Sequence, residues 1–471
     1  MRLLIVEDRA EYLESVEAIV KRAAPNALMT ICKSRDSALS ALSAEKFDYA
    51  ILDLKIPSAD GDVDVETAHG RAVYEWLKAS SIGTPVCFLT AFGTEDFIAD
   101  CFADAKPADI WGSGVEEPMV RMVPKGRVLE LETILKAVAT NVLACEGVEL
   151  NDGTDLGERE RMVLKIFGRR NQGRSIIISP LTRGVSGRHV LKVTCRDVHG
   201  AVRLTCACRI APFEEIRDEF DRYRHDVVRL PHGRYVAHCD SVFAGASDNA
   251  GVFYTLIPNY RSLLDVVRQN QRDAVTVLQN LIATERNWTQ GQPQSSTTVG
   301  SIRRTLISDL DFENKSELLA GIDLDSFEAL PVQIYQTAQH RDLHEENVLV
   351  DENLQPILID FGRVGEAPSC LDPLTLEFAF LFHQGCKQTV GDWPSAEHAR
   401  NWTQLETYIG ACPFKDFISA ARHWAIESSG GNRALYATAY AFAARQLKFD
   451  DTDKALARAV IEGAVAAARN T

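Results

Sequence analysis

Nowhere does the chain string together the roughly 20 apolar residues a helix needs to cross a bilayer. Its opening run, LLIV (3–6), is cut off at once by Glu7 and Asp8. A secretion signal requires a longer apolar core, so neither export nor a membrane span is expected, and the run reads as a first buried strand. Positive charge is also short. Against 66 Asp and Glu stand 51 Lys and Arg, a formal charge of −15. A general binder of nucleic acid or anionic lipid would be repelled by the phosphates it must neutralise. Paired cysteines are missing too: eleven are scattered with no CxxC, so the spacing writes neither a disulfide framework nor a zinc knuckle. Cys206 and Cys208 alternate along a strand pattern, share a face and read as packed thiols. A reducing cytoplasm is the expected compartment.

What is present is ample apolar material, 46% of 471 residues, enough for about two to four domain cores. The chain also carries one stretch of polar residues at telling intervals. Residues 340–362 read HRDLHEENVLVDENLQPILIDFG. VLV (348–350) and ILI (357–359) have the length and composition of two short buried strands, and DENLQP between them is turn chemistry. The hairpin brings Asn347 and Asp360 side by side. Asp342 can then accept the proton of a substrate hydroxyl, while the Asn347 amide oxygen and the Asp360 carboxylate can hold magnesium against nucleotide phosphates.

This ordered set resembles the kinase-like phosphotransferases. The second histidine of HRDLH, His344, is more similar to the aminoglycoside phosphotransferase and choline kinase branch than to ordinary protein kinases, and within it to the ternary complex associated domains of bacterial signalling systems. The resemblance implies an α+β bilobal protein-kinase-like fold, ATP and Mg2+ as cofactors, and catalytic roles for Asp342 and His344. It leaves the phosphoryl acceptor, protein or small molecule, unnamed.

Residues 1–140 alternate buried runs and amphipathic stretches. Strands are expected at 3–6, 27–32, 49–54, 85–90 and 119–123, and helices at 10–23, 36–44, 68–79, 95–104 and 127–140. That is a doubly wound five-stranded parallel α/β domain of flavodoxin-like class, whose chemistry belongs at the carboxyl ends of its strands. Glu7, Asp8, Asp53, Thr90 and Lys125 fall there. Three carboxylates suit a hard cation such as Mg2+, and a hydroxyl and an ammonium suit phosphoryl oxygens. The pattern resembles the receiver domain of response regulators, which implies Asp53 as phosphoacceptor, Glu7, Asp8 and Asp53 as metal ligands, Thr90 and Lys125 as the switch pair, and a histidine kinase as donor. Three features depart from it: a long acidic loop carrying Asp60, Asp62, Asp64 and Glu66, Met122 in place of the usual aromatic switch, and Gly126 in place of proline.

Residues 141–174 read as a polar connector containing a charged amphipathic helix, RERMVLKIFGRR, either a coupling element or a passive spacer. Residues 175–260 read as the smaller lobe. Gly184, Ser186 and Gly187 form a glycine-rich turn able to approach phosphates. Arg209 stands on the third strand where the resemblance expects a lysine, with Glu219 its expected partner and Lys192 a possible substitute. Arginine is not interchangeable with lysine at a tight site. Residues 261–471 read as a helical lobe, with a polar insertion over about 286–330 taken as a substrate cap or a loop, and with Asp372 implied as an anchor of the catalytic turn. Two functions of different class follow: a response regulator whose output is an ATP-dependent phosphotransferase, or a phosphorylation-controlled pseudokinase scaffold. A homodimer is compatible with either.

Overall fold

The computed structural model describes the chain apart from residues 91–96, 98–99, 102–105, 153, 183–189, 258 and 470–471. It divides into two compact units: residues 1–217 with 238–256, and residues 218–237 with 257–471.

The first unit holds two sheets. Strands β1 (Arg2–Val6), β2 (Leu28–Cys32), β3 (Tyr49–Leu52), β4 (Val86–Thr90) and β5 (Val120–Pro124) pair in the order β2-β1-β3-β4-β5, all parallel. This is the doubly wound, flavodoxin-like order. β1, β3 and β4 are buried on both faces, as their unbroken apolar runs require. Helices Ala10–Ala23, Arg35–Ala44 and Thr67–Ser80 fall where the periodicity puts them. The helix expected over 95–104 lies largely outside the described residues.

The second sheet of this unit has six strands: His238–Val242, Asn249–Thr255, Val202–Pro212, Val190–Arg196, Ser175–Thr182 and Glu149–Asp152, in that spatial order. All pairs are antiparallel except the last, where the connector strand Glu149–Asp152 runs parallel to Ser175–Thr182. The connector is packed into the fold. The helix Glu130–Glu146 extends past its expected end, a strand follows, and the helix Glu158–Arg170 buries Met162, Val163, Leu164, Ile166 and Phe167. One continuous apolar cluster runs from Leu3 and Leu135 through this helix to Val193 and Phe253, and the rings of Phe167 and Phe253 stack at 3.8 Å.

The polar joints between the sheets lie at the amino-terminal ends of β3, β4 and β5. Arg159 bonds Asp48 at 2.5 Å and the Lys46 carbonyl at 2.7 Å. Arg170 bonds Asp109, Asp240 and the Ser241 carbonyl. The Gly83 amide donates to the Ser247 carbonyl at 2.7 Å, and the Gly245 amide to the Gly83 carbonyl at 2.8 Å. Gly245 is required there: its φ is +85°, and a Cβ would sit 2.2 Å from the Ile110 carbonyl oxygen.

In the second unit the antiparallel hairpin Val348–Val350 with Pro356–Leu358 forms as expected, and Arg261–Ser262 adds a third strand. The twelve residues of the helix Leu371–Phe382 are all buried, and the alanine-rich helices Asn432–Gln446 and Lys454–Ala468 supply packing, as their apolar faces suggest. The loop reading of residues 286–330 is overturned. Strand Gln294–Thr298 pairs with Pro331–Gln339, and helix Val299–Leu306 buries Val299, Ile302 and Arg303. The segment's polar residues divide between the exposed run 290–296 and an internal cluster in which Arg303 is neutralised by Asp309 and Glu328, at 2.6 and 2.9 Å.

Candidate functional site

At the carboxyl end of the first sheet, Glu7 follows β1, Asp53 follows β3, Thr90 ends β4 and Lys125 follows β5. All four are buried. Lys125 Nζ lies 2.5 Å from Glu7 Oε2 and 2.7 Å from Asp53 Oδ2, and 4.4 Å from the ring centre of Tyr12. Lys125 thus closes the strand ends and neutralises two acids that would otherwise repel. Burial pushes the Glu7 carboxyl up to about 6, with the Asp53 charge adding to the rise and Lys125 opposing it. Glu7, Asp8 and Asp53 offer carboxylate oxygens all within 4.8 Å of one another, and Asp8 Oδ1 is buried without a hydrogen-bond partner. An oxygen-only donor set with one orphaned oxygen fits a hard cation such as Mg2+. Sequence reasoning missed Tyr12, which carries no motif signal. Met122 is partly exposed on β5. The acidic loop after Asp53 hydrogen-bonds within itself and to nearby serines, Ser58 to Asp62 and Asp64 and Ser37 to Asp60.

On the second sheet, Arg209 is buried and pairs with Glu215 at 3.3 Å; the expected partner, Glu219, is buried one turn further along the helix Phe213–His225. Lys192 lies opposite Ala207 in the register, so its side chain leaves the sheet on the same face as Arg209. Gly184, Ser186 and Gly187 lie outside the described residues.

In the second unit the turn that carries Asp342 is fixed from both sides. Asp372 accepts the backbone amides of His340 at 2.5 Å and Arg341 at 2.8 Å, and its own amide donates to Gln339 Oε1. This is the anchoring implied for it. Burial pushes Asp372 up to about 6, against the pull of His340 and Arg341. Two backbone positions are held in the left-handed region, Arg341 at φ 63° and Asp360 at φ 61°. Strain of this kind persists only where surroundings over-determine it. Arg341 is held by Asp372 and by the Thr305 carbonyl, and the segment ahead of Asp360 is held by His340 Nε2, 2.8 Å from the Ile359 carbonyl. The side-chain amide of Asn347 donates to the Asp342 carbonyl at 2.9 Å, leaving its Oδ1 as the atom for a cation. The Asn347 carbonyl accepts the Ile359 amide, which sets Asp360 one residue beyond the pairing. Phe361 is buried against His340 and Tyr223, with ring centres 5.9 and 5.6 Å away.

Asp342 has two cations that sequence reasoning missed: Arg445 at 3.3 Å and Arg363 at 3.6 Å. A basic residue on an otherwise alanine-rich helix was the one hint of Arg445. His344 turns out to be stacked on His383, ring centres 3.9 Å apart, and burial pushes its pKa down to about 3. It is a neutral imidazole.

Among the described residues, no helix is long and apolar enough to cross a membrane. No family model matches the chain, and no curated protein is similar to it. Similar solved structures fall in two groups. One includes a CheY-like response regulator receiver domain protein from Methanospirillum hungatei, 21% identical, covering 30% of this chain and 96% of that one with a TM-score of 0.22. The other includes a putative aminoglycoside phosphotransferase from Ralstonia eutropha, 9% identical over 63% of this chain and 93% of that one, TM-score 0.35. It also includes an ethanolamine kinase from Plasmodium vivax, 12% identical over 72% of this chain and 89% of that one, TM-score 0.33.

Proposed function

We propose that this chain is a response regulator whose receiver, phosphorylated on Asp53 by a histidine kinase, controls an ATP-dependent phosphotransferase. The observation that carries the reading is the meeting of Glu7, Asp8, Asp53, Thr90 and Lys125, from four strand ends far apart in sequence, at the carboxyl end of a 2-1-3-4-5 sheet. A carboxylate oxygen of Asp53 attacks the donor phosphorus, and the phosphoryl group arrives as an acyl phosphate while the donor histidine regains its proton. Lys125, already 2.7 Å away, pairs with the added oxygens. Glu7, Asp8 and Asp53 would hold Mg2+, which would supply charge neutralisation for that transfer.

The output chemistry is phosphoryl transfer to a hydroxyl. Asp342 takes the hydroxyl proton, the oxygen takes the γ-phosphoryl group of ATP, and ADP leaves. Asn347 Oδ1 and Asp360 would hold Mg2+, which neutralises phosphate charge. Arg445 and Arg363 keep Asp342 aligned. Lys192, on the same face as Arg209, stands as the exposed candidate for a phosphate contact.

One observation favours a second reading, a nucleotide-binding scaffold without turnover: the buried cation on the third strand is Arg209, ion-paired with Glu215 at 3.3 Å, and arginine is not interchangeable with lysine at a tight site. The two separate in one experiment. Wild type, Asp342→Ala and Asp53→Ala are incubated with Mg2+ and γ-labelled ATP, with and without acetyl phosphate, and label transfer and ATP hydrolysis are followed. Turnover that needs Asp342 and changes severalfold with acetyl phosphate only when Asp53 is present is the expected result. ATP binding with no Asp342-dependent turnover would establish the scaffold, and equal labelling of Asp53→Ala by acetyl phosphate would remove the receiver assignment.

A further inference from the structure

On a chain whose formal charge is −15, Asp342 is ringed by arginines of its own unit. Arg445, on the helix Asn432–Gln446, donates to the Arg341 carbonyl at 3.1 Å and to Asp342 Oδ1 at 3.3 Å. Arg222 donates to the Gly362 carbonyl at 2.7 Å, Arg363 is the next residue, and a Cβ on Gly365 would meet Arg341 Nη1 at 3.5 Å. Residues 362–365 thus draw Arg222, Arg341 and Arg363 together beside Asp342. Burial pulls Arg341 below its ordinary value, and the charges of Arg222 and Arg363 add to the fall while Asp372 opposes it. Much of the donor capacity is unspent. A guanidinium carries five N–H groups; Arg341 gives one to the Thr305 carbonyl, and its Nε is buried without a partner. Among the described residues Arg363 makes no hydrogen bond, because the 3.6 Å to Asp342 is too long for one. The acids that face the group are Asp342, Asp218 at 3.9 Å from Arg222, and Asp372, whose oxygens are already taken by two backbone amides.

We propose that the phosphoryl acceptor is an anion, a small hydroxyl compound bearing a phosphate or a carboxylate, and that Arg363 and Arg341 hold its charged group while Arg222 and Arg445 reinforce the field. The proposal rests on the phosphotransferase reading for its chemistry and names the substrate class of that site. An acceptor hydroxyl must come within about 3 Å of Asp342 to pass on its proton, so a group roughly two to four bonds further along the molecule reaches the unspent guanidinium donors. Guanidinium forks match the oxygens of phosphate and carboxylate two at a time. An acceptor carrying an ammonium group would instead meet four like charges, so the same cluster selects against cations. In the transfer the acceptor oxygen bonds the γ-phosphorus of ATP, the bond from that phosphorus to the β,γ-bridging oxygen breaks, the proton goes to Asp342 and ADP leaves. The arginines change no bond; they place the acceptor.

The test titrates the full chain by calorimetry with four probes of similar size, glycerol 3-phosphate and glycerate as anions, glycerol as the neutral compound and ethanolamine as the cation, and then supplies each with Mg2+ and γ-labelled ATP. At least one anion should bind at least about tenfold more tightly than glycerol, and ethanolamine should not bind. Arg363→Gln, at a side chain 33% exposed where folding is not at stake, should weaken the anion at least about tenfold, the scale of a lost charge-assisted bond. Asp342→Asn should lose transfer yet bind the anion at least as tightly, because a repelling charge is gone. Anions that bind no better than glycerol, or equally well to Arg363→Gln, overturn the proposal. Anion binding abolished by a non-hydrolysable ATP analogue with Mg2+ assigns the arginines to the nucleotide's own phosphates and overturns it too. Label passed to ethanolamine or glycerol in preference to the anions overturns it while upholding the phosphotransferase reading. Arg363-dependent anion binding with no transfer to any probe upholds the anion site and counts against that reading instead.

Discussion

Asp372 shows how one buried carboxylate shapes a site it does not enter. It takes the backbone amides of His340 and Arg341, ahead of Asp342, and thereby holds Arg341 at a left-handed φ that an arginine would not choose. Facing it is Glu285, fully buried, with neither carboxylate oxygen hydrogen-bonded. Burial first, and the Asp372 charge second, push Glu285 well above its ordinary value of 4.5. The folded chain therefore keeps a proton on Glu285 that the unfolded chain releases above that value. The stability contributed by this proton is complete below pH 4.5 and declines as pH rises towards the folded-state pKa, by about 1.4 kcal/mol per pH unit. Glu285→Gln should remove the decline. Urea midpoints of wild type and variant at about pH 5 and about pH 8 should diverge, the wild type falling relative to the variant; parallel behaviour would show that Glu285 is ionised in the fold.

The helix Glu158–Arg170 is the element on which sequence reasoning was least decisive. Its charges, RERMVLKIFGRR, look like a solvated face, yet Arg159, Arg169 and Arg170 are spent on joints: Asp48, the Trp111 and Asn141 carbonyls, and Asp109 with Asp240. No local pattern distinguishes an arginine that meets water from one that meets a carboxylate more than 100 positions away. Because Arg159 and Asp48 are both buried, deleting one partner strands the other. Asp48→Ala is expected to lower unfolding free energy by about 3–5 kcal/mol, read by calorimetry, whereas the same change at exposed Asp62 should stay within about 0.5 kcal/mol. The segment 286–330 was misread for the same reason in reverse. Its glutamines and serines suggested a loop, but β-pairing with Pro331–Gln339 and an internal ion-pair cluster around Arg303 give it structure.

At the scale of the whole molecule, the first sheet and the six-stranded sheet share one apolar cluster and lie in one compact unit. The joint is at the amino-terminal ends of β3, β4 and β5, whereas Asp53 sits at the opposite, carboxyl end. The cluster of Glu7, Asp8, Asp53 and Lys125 is thus left clear of the joint. Shared burial also means shared stability. Native-state hydrogen exchange should show the amides of β1 and of Val190–Arg196 opening with the same free energy, and β1 exchanging through a separate, lower-energy opening would show the two sheets to be independent.

The sequence by itself determined the regular elements of the first sheet and the hairpin, and the residues set at their ends. Runs of two-faced apolar residues wrote β1, β3 and β4, turn residues between VLV and ILI wrote the hairpin, and strand-end acids marked Asp53 and its neighbours. Those signals are local, because period and turn chemistry act over a few residues. Only the tertiary structure decided which side chains meet: Arg445 and Arg363 on Asp342, Arg159 on Asp48, and His383 beside His344. Each of these is a pairing across the fold between side chains whose own neighbourhoods in sequence are unremarkable, and such pairings exist only once the chain has closed on itself.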